Sequence, residues 1–185
     1  THAASPLDPP PPALSALRGA LLATDPAGDA EQALLALARA KNGGVDRPDL
    51  HTWRALALVR RGQRNASDGD AVLKELRALS RVRGALLPQE RGYRAWALLA
   101  KGQPERAATE AEGLDPTLNP NLATAIAADR AELFLVQGKL ERARQVLRPF
   151  PAGSFRARGT DLREAVERTL HQSMVQLRDA PPSVS

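Results

Sequence analysis

The sequence predicts an all-α protein built from stacked helical hairpins, and three observations lead to that class. Alanine and leucine, which favour helices, supply 34 and 28 of the 185 residues. Aromatic residues, which are common in strands, make up only 3% of the chain. Four glycines recur at intervals of 34, 40 and 36 residues, each within a similar local sequence. This composition argues against a sandwich, a barrel or a doubly wound sheet.

The chain is expected to begin with an extended tether, residues 1–12, that lies outside the core. It contains the run Pro9–Pro12, and consecutive prolines favour polyproline II because they lack backbone donors. Helical repeats are expected over residues 13–158. They are followed by a terminal helix over residues 159–178 and a disordered tail over residues 179–185.

Each predicted hairpin has a first helix that ends at a glycine. In three hairpins an Arg-Ala pair begins eight residues before that glycine. The pairs begin at Arg54, Arg94 and Arg130, and the matching glycines are Gly62, Gly102 and Gly138. Glycine closes a helix well because it adopts a positive φ without strain. A fourth glycine, Gly28, is expected to hold the same place in the first hairpin.

The second helix of each hairpin is expected to begin directly after the glycine. The third and fourth hairpins share Gly-x2-Glu-Arg-Ala at residues 102–107 and 138–143, and Gly28–Ala33 is a near copy. A glutamate in the first turn is favourable beside the positive end of the helix dipole. Alanines at fixed positions allow two helix backbones to approach closely. A single hairpin is too small to bury its own apolar face, so stacked neighbours bury it for one another.

These features resemble the tetratricopeptide repeat (TPR), a helical hairpin of about 34 residues with small residues on both helices. The matching residues are Ala55, Ala95 and Ala131 on first helices, Ala33, Ala107 and Ala143 on second helices, and Phe134 at the aromatic position. Asn119-Pro120 and Pro151 resemble unit ends. The resemblance covers about residues 13–151 and implies a TPR-like right-handed superhelix of about four hairpins. It departs from the family in the second hairpin, where an insertion over Asn65–Asp70 precedes a second helix expected at Ala71–Arg83.

The last helix is expected over Thr160–Arg178. Its apolar residues fall on one stripe, namely Leu162, Val166, Leu170, Met174 and Leu177. Asp161 and Glu164 have the spacing of a capping box. We expect this helix to cap the array by covering the fourth hairpin. The alternative is a dimerisation helix that pairs with a second copy of the chain.

Residues that could support catalysis or metal binding are sparse. The chain has no cysteine, which excludes disulfides and thiolate chemistry. Its three histidines, His2, His51 and His171, lack metal-ligand spacing. No glycine-rich phosphate loop follows a predicted strand, and no apolar run approaches the roughly 18 residues of a membrane span. We therefore expect a protein that is not an enzyme and that carries no metal or cofactor.

The resemblance implies that the first helices line a concave groove that binds a partner protein or peptide. The residues expected on this concave face are Thr52, Leu56, Val59, Arg60, Trp96, Leu99, Glu132, Leu135 and Val136. Most of them are apolar, which suits an extended or amphipathic peptide. Leu56, Trp96 and Leu99 have an alternative place in the packing between helices. The expected function is a non-catalytic protein–protein interaction module or assembly scaffold.

Positive charge is concentrated in residues 51–94, which carry 10 basic and 4 acidic groups. The candidate basic patch consists of Arg54, Arg61, Arg64, Lys74, Arg77 and Arg81. An alternative function is therefore the binding of an anionic polymer, either nucleic acid or an acidic polysaccharide. Nucleic acid is the less favoured partner, because only Trp53, Tyr93 and Trp96 could stack on bases. The patch can also be interpreted as a solvated helical surface whose arginines reflect a GC-rich genome.

Four arginines, Arg60, Arg61, Arg77 and Arg81, are expected to be exposed and to have no structural role. Replacing all four with glutamine should then change the free energy of unfolding by less than about 1 kcal/mol, since isolated surface charges contribute little. A larger loss of stability would show that they are paired within the fold.

The cellular location is inferred from the start of the chain and from its composition. The opening residues are small and polar, as in many exported proteins after removal of a signal peptide. We expect an extracytoplasmic protein, periplasmic or secreted, of a GC-rich bacterium, with the cytoplasm as the alternative. It would act as a monomer or as part of a larger complex.

Overall fold

The computed structural model describes residues 10–61, 66–115, 117, 120–151, 154, 156–157 and 160–179. Helices dominate these residues, which confirms the all-α class. They are α1 (Pro12–Thr24), α2 (Ala30–Asn42), α3 (Pro48–Arg60), α4 (Ala66–Arg83), α5 (Pro88–Ala100), α6 (Pro104–Ala111), α7 (Pro120–Val136), α8 (Leu140–Leu147) and α9 (Leu162–Asp179). A short antiparallel pair, β1 (Arg156–Ala157) and β2 (Thr160–Asp161), precedes α9. None of the helices in the described part is long and apolar enough to cross a lipid bilayer.

The chain divides into two compact units, residues 1–118 and 119–185. In the first unit α1 pairs with α2, α3 with α4, and α5 with α6. In addition, α3 packs on α1 and α2, and α5 packs on α3 and α4, so these three hairpins form a continuous stack. In the second unit α7 packs on α8, and α8 packs on α9.

The alanines expected at close helix contacts are buried in both units. The six alanines named above, on first and second helices, each have 0% of their surface exposed. A glycine has the same function between α1 and α2, where a Cβ on Gly19 would lie 2.5 Å from Cγ of Leu37. Small side chains therefore set the close spacing of these helices.

Two of the predicted glycine turns have the same backbone hydrogen bonds. After α5, the amide of Gly102 donates to the carbonyl three residues earlier, and that of Gln103 donates to the carbonyl five residues earlier, both at 2.9 Å. After α7, the amides of Gly138 and Lys139 repeat these two bonds at 3.0 and 2.8 Å. This Schellman motif requires a positive φ, which is +66° at Gly102 and +68° at Gly138. A glycine with positive φ therefore closes the helix at both of these positions.

The other two predicted turn glycines do not show this motif. Gly28 does not have a positive φ, so the expectation of a left-handed turn there is wrong. The reason for a glycine is instead crowding, since a Cβ on Gly28 would lie 2.2 Å from the carbonyl oxygen of Leu22. Gly62 lies outside the described residues.

The second helix of the second hairpin begins earlier than the sequence predicts. Its first residue is Ala66 rather than Ala71, so most of the expected insertion is helical. This segment packs closely on α5, since a Cβ on Gly69 would lie 2.8 Å from the carbonyl oxygen of Ala97. Asp68 is also buried, at 6% exposure. This first part of α4 is helical because it packs on its neighbours, which a motif comparison along the chain does not reveal.

The core of the second unit forms where α7, α8 and α9 meet. Its buried residues are Ala127, Ala131, Phe134, Ala143, Leu147 and Val166. Val166 comes from α9, and Leu162 and Leu170 pack against the same cluster. The helix therefore covers the apolar side of the α7–α8 hairpin. The side chains of Met174 and Leu177 lie outside the described residues.

The boundaries of the terminal segments differ slightly from those expected. The last helix begins at Leu162 because the two preceding residues, Thr160 and Asp161, pair as a strand with β1. The first helix begins at Pro12, inside the expected tether. Residues 1–9 of that tether and residues 180–185 of the tail lie outside the described residues.

Candidate binding groove

The residues of the expected concave face on α3 are engaged within the fold. The hydroxyl of Thr52 donates to Oε1 of Glu90 on α5 at 2.7 Å. Leu56 and Val59 are half-buried and pack against the core cluster that includes Leu76. These side chains contribute to packing between helices.

Arg60, also assigned to the concave face, closes the carboxyl end of α1. Its Nη1 donates to the carbonyl oxygens of Leu22 and Ala23 at 3.1 and 2.7 Å. Its Nη2 donates to the carbonyl oxygens of Pro26 and Gly28 at 2.8 and 3.2 Å. The last carbonyls of a helix lack intrahelical donors and form its negative end, so a guanidinium is well placed there. The expectation that Arg60 has no structural role is wrong.

The other residues of the expected concave face differ in exposure. On α5, Leu99 is only 4% exposed, and Trp96 is half-buried. On α7, Leu135 packs against the core of the second unit, whereas Glu132 and Val136 are exposed. Leu99 therefore takes the alternative place that the sequence left open for it, in the packing of helices.

Arg54, from the candidate basic patch, pairs with a buried carboxylate. Its Nε lies 3.0 Å from Oε1 of Glu75 on α4. The other oxygen of Glu75 lies 2.7 Å from Nδ1 of His51. Glu75 is 6% exposed, and burial of a carboxylate requires partners of this kind. Arg54 and His51 therefore join α3 to α4.

Arg61 connects three helices of the first unit. It follows α3, pairs with Asp68 on α4, and its Nη1 lies 3.3 Å from Oε1 of Glu31 on α2. The hydrogen bond to Asp68 raises the pKa of Arg61 above its ordinary value. The expectation that Arg61 has no structural role is wrong, because the buried Asp68 needs a counter-charge. Arg64, also in the predicted patch, lies outside the described residues.

The remaining patch residues, Lys74, Arg77 and Arg81, are exposed along α4. None of them forms an ion pair or a side-chain hydrogen bond within the part of the chain that the structure describes. Arg77 and Arg81 are four residues apart, so they lie on one face of the helix, one turn from each other.

Arg77 and Arg81 line a groove between α4, α5 and α6 with a volume of about 750 Å³. We call it the basic groove. Its cations are Arg77, Arg81, Arg94, Lys101 and Arg106, and its leucines are Leu73, Leu76, Leu86 and Leu98. One carboxylate, Glu110, lines the groove with them. Five cations against one carboxylate make the groove strongly positive.

The other cations of the basic groove are held to different degrees. Arg94 pairs with Glu110, whose side chain is 13% exposed. Lys101 pairs with Asp70, whose side chain is 60% exposed, and such an exposed pair is weak. Arg106 has a neutral partner, since its guanidinium donates to a glutamine at 2.7 Å. Among the described residues, the carboxylate that lines the groove is therefore paired with Arg94, and neither α4 arginine has an acidic partner.

A buried carboxylate fixes the helices that form the groove. Glu90, in the first turn of α5, is 1% exposed. It accepts from Nη1 of Arg83 on α4 at 2.7 Å and from the amide of Leu87 at 2.8 Å, in addition to the bond from Thr52 on α3. These bonds hold the start of α5 against the end of α4.

Tyr93 follows one turn after Glu90 on α5 and belongs to the core cluster that α3, α4 and α5 share. It is 2% exposed, so it is not available to stack on a base. Burial raises the pKa of its phenol from 10.0 to about 12, and the Glu90 carboxylate adds to the shift.

A second cavity, of about 390 Å³, lies in the second unit. Its charged lining residues are Glu141, Arg144, Arg148 and Glu167. Nε of Arg144 lies 3.0 Å from Oε1 of Glu167. Because two cations and two carboxylates line it, this cavity is less positive than the basic groove.

The structure combines predicted and unpredicted residues in the basic groove. Arg77 and Arg81 belong to the predicted patch and Arg94 to the basic segment of residues 51–94, whereas Lys101 and Arg106 lie outside that segment. Arg94 occupies the same position in its repeat as Arg54 does, so the repeat pattern predicts which face of α5 it lies on. No local pattern indicates that Arg106 faces α4, since that depends on how two hairpins stack.

Within the described residues, no group of three or more histidine or acidic side chains could hold a metal ion. Comparison of the chain with protein-family models, with curated proteins and with solved structures finds no match. A cluster of guanidinium groups over an apolar floor is suited to hold carboxylate or phosphate groups.

Proposed function

We propose that the chain is a non-catalytic binding module that engages an acidic partner protein through the basic groove. The observation that carries this proposal is the pair Arg77 and Arg81, two exposed arginines one turn apart without a partner in the described residues. A guanidinium that faces solvent can bind a carboxylate in a bidentate manner without first breaking an internal ion pair.

The basic groove is better supported as the binding surface than the concave face implied by the sequence resemblance. Leu99 is in the core, Leu56 packs against it, and Arg60 is committed to the carbonyls that end α1. The residues of the basic groove, in contrast, retain exposed charge. The partner is proposed to lie along α4, between that helix and α6.

We also propose that the hairpins belong to a TPR-like array. The matching turns at Gly102 and Gly138 and the buried alanines at equivalent positions support this proposal. Each hairpin would then present a similar surface, which agrees with a role in holding a partner rather than in chemistry.

A second candidate function is the binding of an anionic polymer, nucleic acid or an acidic polysaccharide. The observation in its favour is the row of exposed cations on α4, which adds Lys74 to the two arginines. The described residues that line the groove include no aromatic side chain, so they offer no stacking platform for bases.

The test compares three anionic probes: poly-L-glutamate, heparin and single-stranded DNA. The variant Arg77→Gln/Arg81→Gln removes the two free charges, and Arg142→Gln/Arg168→Gln removes two exposed charges that line neither cavity. We expect the groove variant to bind poly-L-glutamate about tenfold or more weakly than wild type, and the control to bind like wild type. Equal losses in both variants, or no binding by wild type, would contradict the proposal. Tighter binding of heparin or DNA would favour the second candidate.

A further inference from the structure

We infer that the segment held in the basic groove is an amphipathic acidic peptide, with apolar side chains on the leucine floor and carboxylates on the cationic rim. This inference rests on the proposed function and specifies the partner of that site. Three features of the groove support it: the leucines at its base (the floor), the exposed cations at its edges (the rim), and the pairing of Glu110 within the fold.

The floor of the groove is apolar. Leu73, Leu76, Leu86 and Leu98 line it. Leu76 and Leu98 are buried, at 1% and 6% exposure, so the accessible apolar surface comes from the half-buried Leu73 and Leu86. Burial of this apolar surface against an aliphatic side chain is favourable, whereas contact with a sugar or phosphate backbone stabilises it little. The floor therefore favours a polypeptide over a polysaccharide or a nucleic acid.

The rim of the groove has cations on both sides. Arg77 and Arg81 project from α4, Lys101 comes from the end of α5, and Arg106 comes from α6. A spacing of one helical turn separates the two α4 arginines, about 5–6 Å between Cβ atoms. Carboxylates four residues apart on a helical peptide match that spacing, and so do carboxylates two residues apart on an extended peptide. Apolar residues between them would face the leucines.

The acid in the groove does not compete for the free arginines. Glu110 pairs with Arg94, and Nε of Arg91 lies 3.1 Å from its Oε1. The ion pair of Lys101 with Asp70 is exposed, so a carboxylate of the partner can replace Asp70. Charge complementarity therefore selects an acidic segment, and the leucine floor selects an amphipathic one.

The experiment compares two labelled peptides of equal length and equal glutamate content. In the first, leucines alternate with glutamates at helical spacing; in the second, serine replaces each leucine. Fluorescence anisotropy measures the affinity of each for wild type, Arg77→Gln/Arg81→Gln and the control Arg142→Gln/Arg168→Gln. We expect wild type and control to bind the leucine peptide about tenfold or more tightly than the serine peptide. The groove variant should lose most of its affinity for both peptides.

Three other results would overturn the inference, and they separate it from the proposed function. Equal affinity for the two peptides, with a loss confined to the groove variant, would overturn the amphipathic partner and leave the acidic partner in place. Tighter binding of heparin or single-stranded DNA than of the leucine peptide would replace the peptide by a polymer. No difference between the groove variant and the control would overturn both the inference and the proposed function.

Discussion

Arg60 and Arg77 have the same side chain on neighbouring helices, but their surroundings give them different roles. Arg60 donates to four carbonyl oxygens at the end of α1 and in the following turn, at 2.7 to 3.2 Å. Arg77 is exposed on the rim of the basic groove. The groups that lie near each guanidinium in the folded protein decide its role, and the composition of the sequence does not reveal those groups.

Replacing Arg60 tests its structural role. We expect Arg60→Met to lower the free energy of unfolding by about 1–3 kcal/mol, because the hydrogen bonds that a charged donor makes to the partly buried carbonyls at the end of α1 are lost. Arg60→Lys should recover little, since an ammonium lacks the planar fork that reaches several carbonyls. Urea unfolding measures both, with Arg77→Gln as the matched control. A loss as small as that of the control would contradict the capping role.

The ionisation of Tyr93 can be observed directly, because it is the single tyrosine of the chain. Burial raises its pKa to about 12, so the folded protein retains the neutral phenol at a pH where the unfolded chain, with a pKa near 10.0, has begun to ionise. Stability from this group is therefore complete below pH 10 and declines as the pH rises from about 10 to about 12.

Absorbance near 295 nm reports the tyrosinate and checks this value. We expect the midpoint of the titration to be about two pH units higher in buffer than in concentrated urea. Tyr93→Phe should show no pH-dependent change in this absorbance in either solvent. A midpoint near 10 in the folded protein would show that the phenol is hydrated.

At the scale of elements, the closest repeats are the turns that follow α5 and α7. Both contain a glycine with positive φ and the same pair of backbone hydrogen bonds. Each turn is followed by a short second helix with a fully buried alanine, Ala107 in α6 and Ala143 in α8. Similar hairpins thus form in both units from the same local sequence pattern.

Alanine-to-leucine substitutions test the close contacts between helices. Ala95 and Ala131 are both 0% exposed, so a leucine at either position should overpack the contact and cost roughly 1–3 kcal/mol. The control is Ala123→Leu, at an exposed position of α7. Thermal melting followed by circular dichroism should shift downward for the first two variants and remain near wild type for the control. Unchanged melting of both buried-site variants would refute the packing register.

At the scale of the whole chain, α9 protects the core of the second unit. Val166 is 1% exposed among residues of α7 and α8, and Leu162 and Leu170 extend the contact. Without α9, the side chains of Phe134 and Leu147 would face solvent and form an adhesive apolar patch.

Deleting residues 160–185 tests this role against the alternative of a dimerisation helix. If α9 caps its own chain, the truncated protein should aggregate or lose helicity beyond the deleted fraction, while the intact protein is a monomer. If α9 pairs between chains, the intact protein should be a dimer and the truncation a soluble, folded monomer. Light scattering separates these outcomes, and Glu164→Ala/Arg168→Ala, at exposed positions of α9, is the control.

The sequence by itself determined the features that depend on short stretches of chain. Helix class, the turns at Gly102 and Gly138 and the buried alanines were all predictable, because helical hydrogen bonds connect residues four apart and positive φ is a property of one residue. The sequence also identified Arg77 and Arg81 as candidates, since an excess of charge is visible in composition.

Only the tertiary structure decided which side chains meet across helices. It committed Arg60 to the end of α1, placed Arg61 beside the buried Asp68, and brought Arg106 to the groove that contains Arg77. It also extended α4 back to Ala66, where packing against α5 stabilises residues that the repeat pattern left as an insertion. The physical reason is that repeat patterns specify the face of a helix, whereas the neighbour of that face depends on how hairpins stack and on the free energy of burying charge and surface between them.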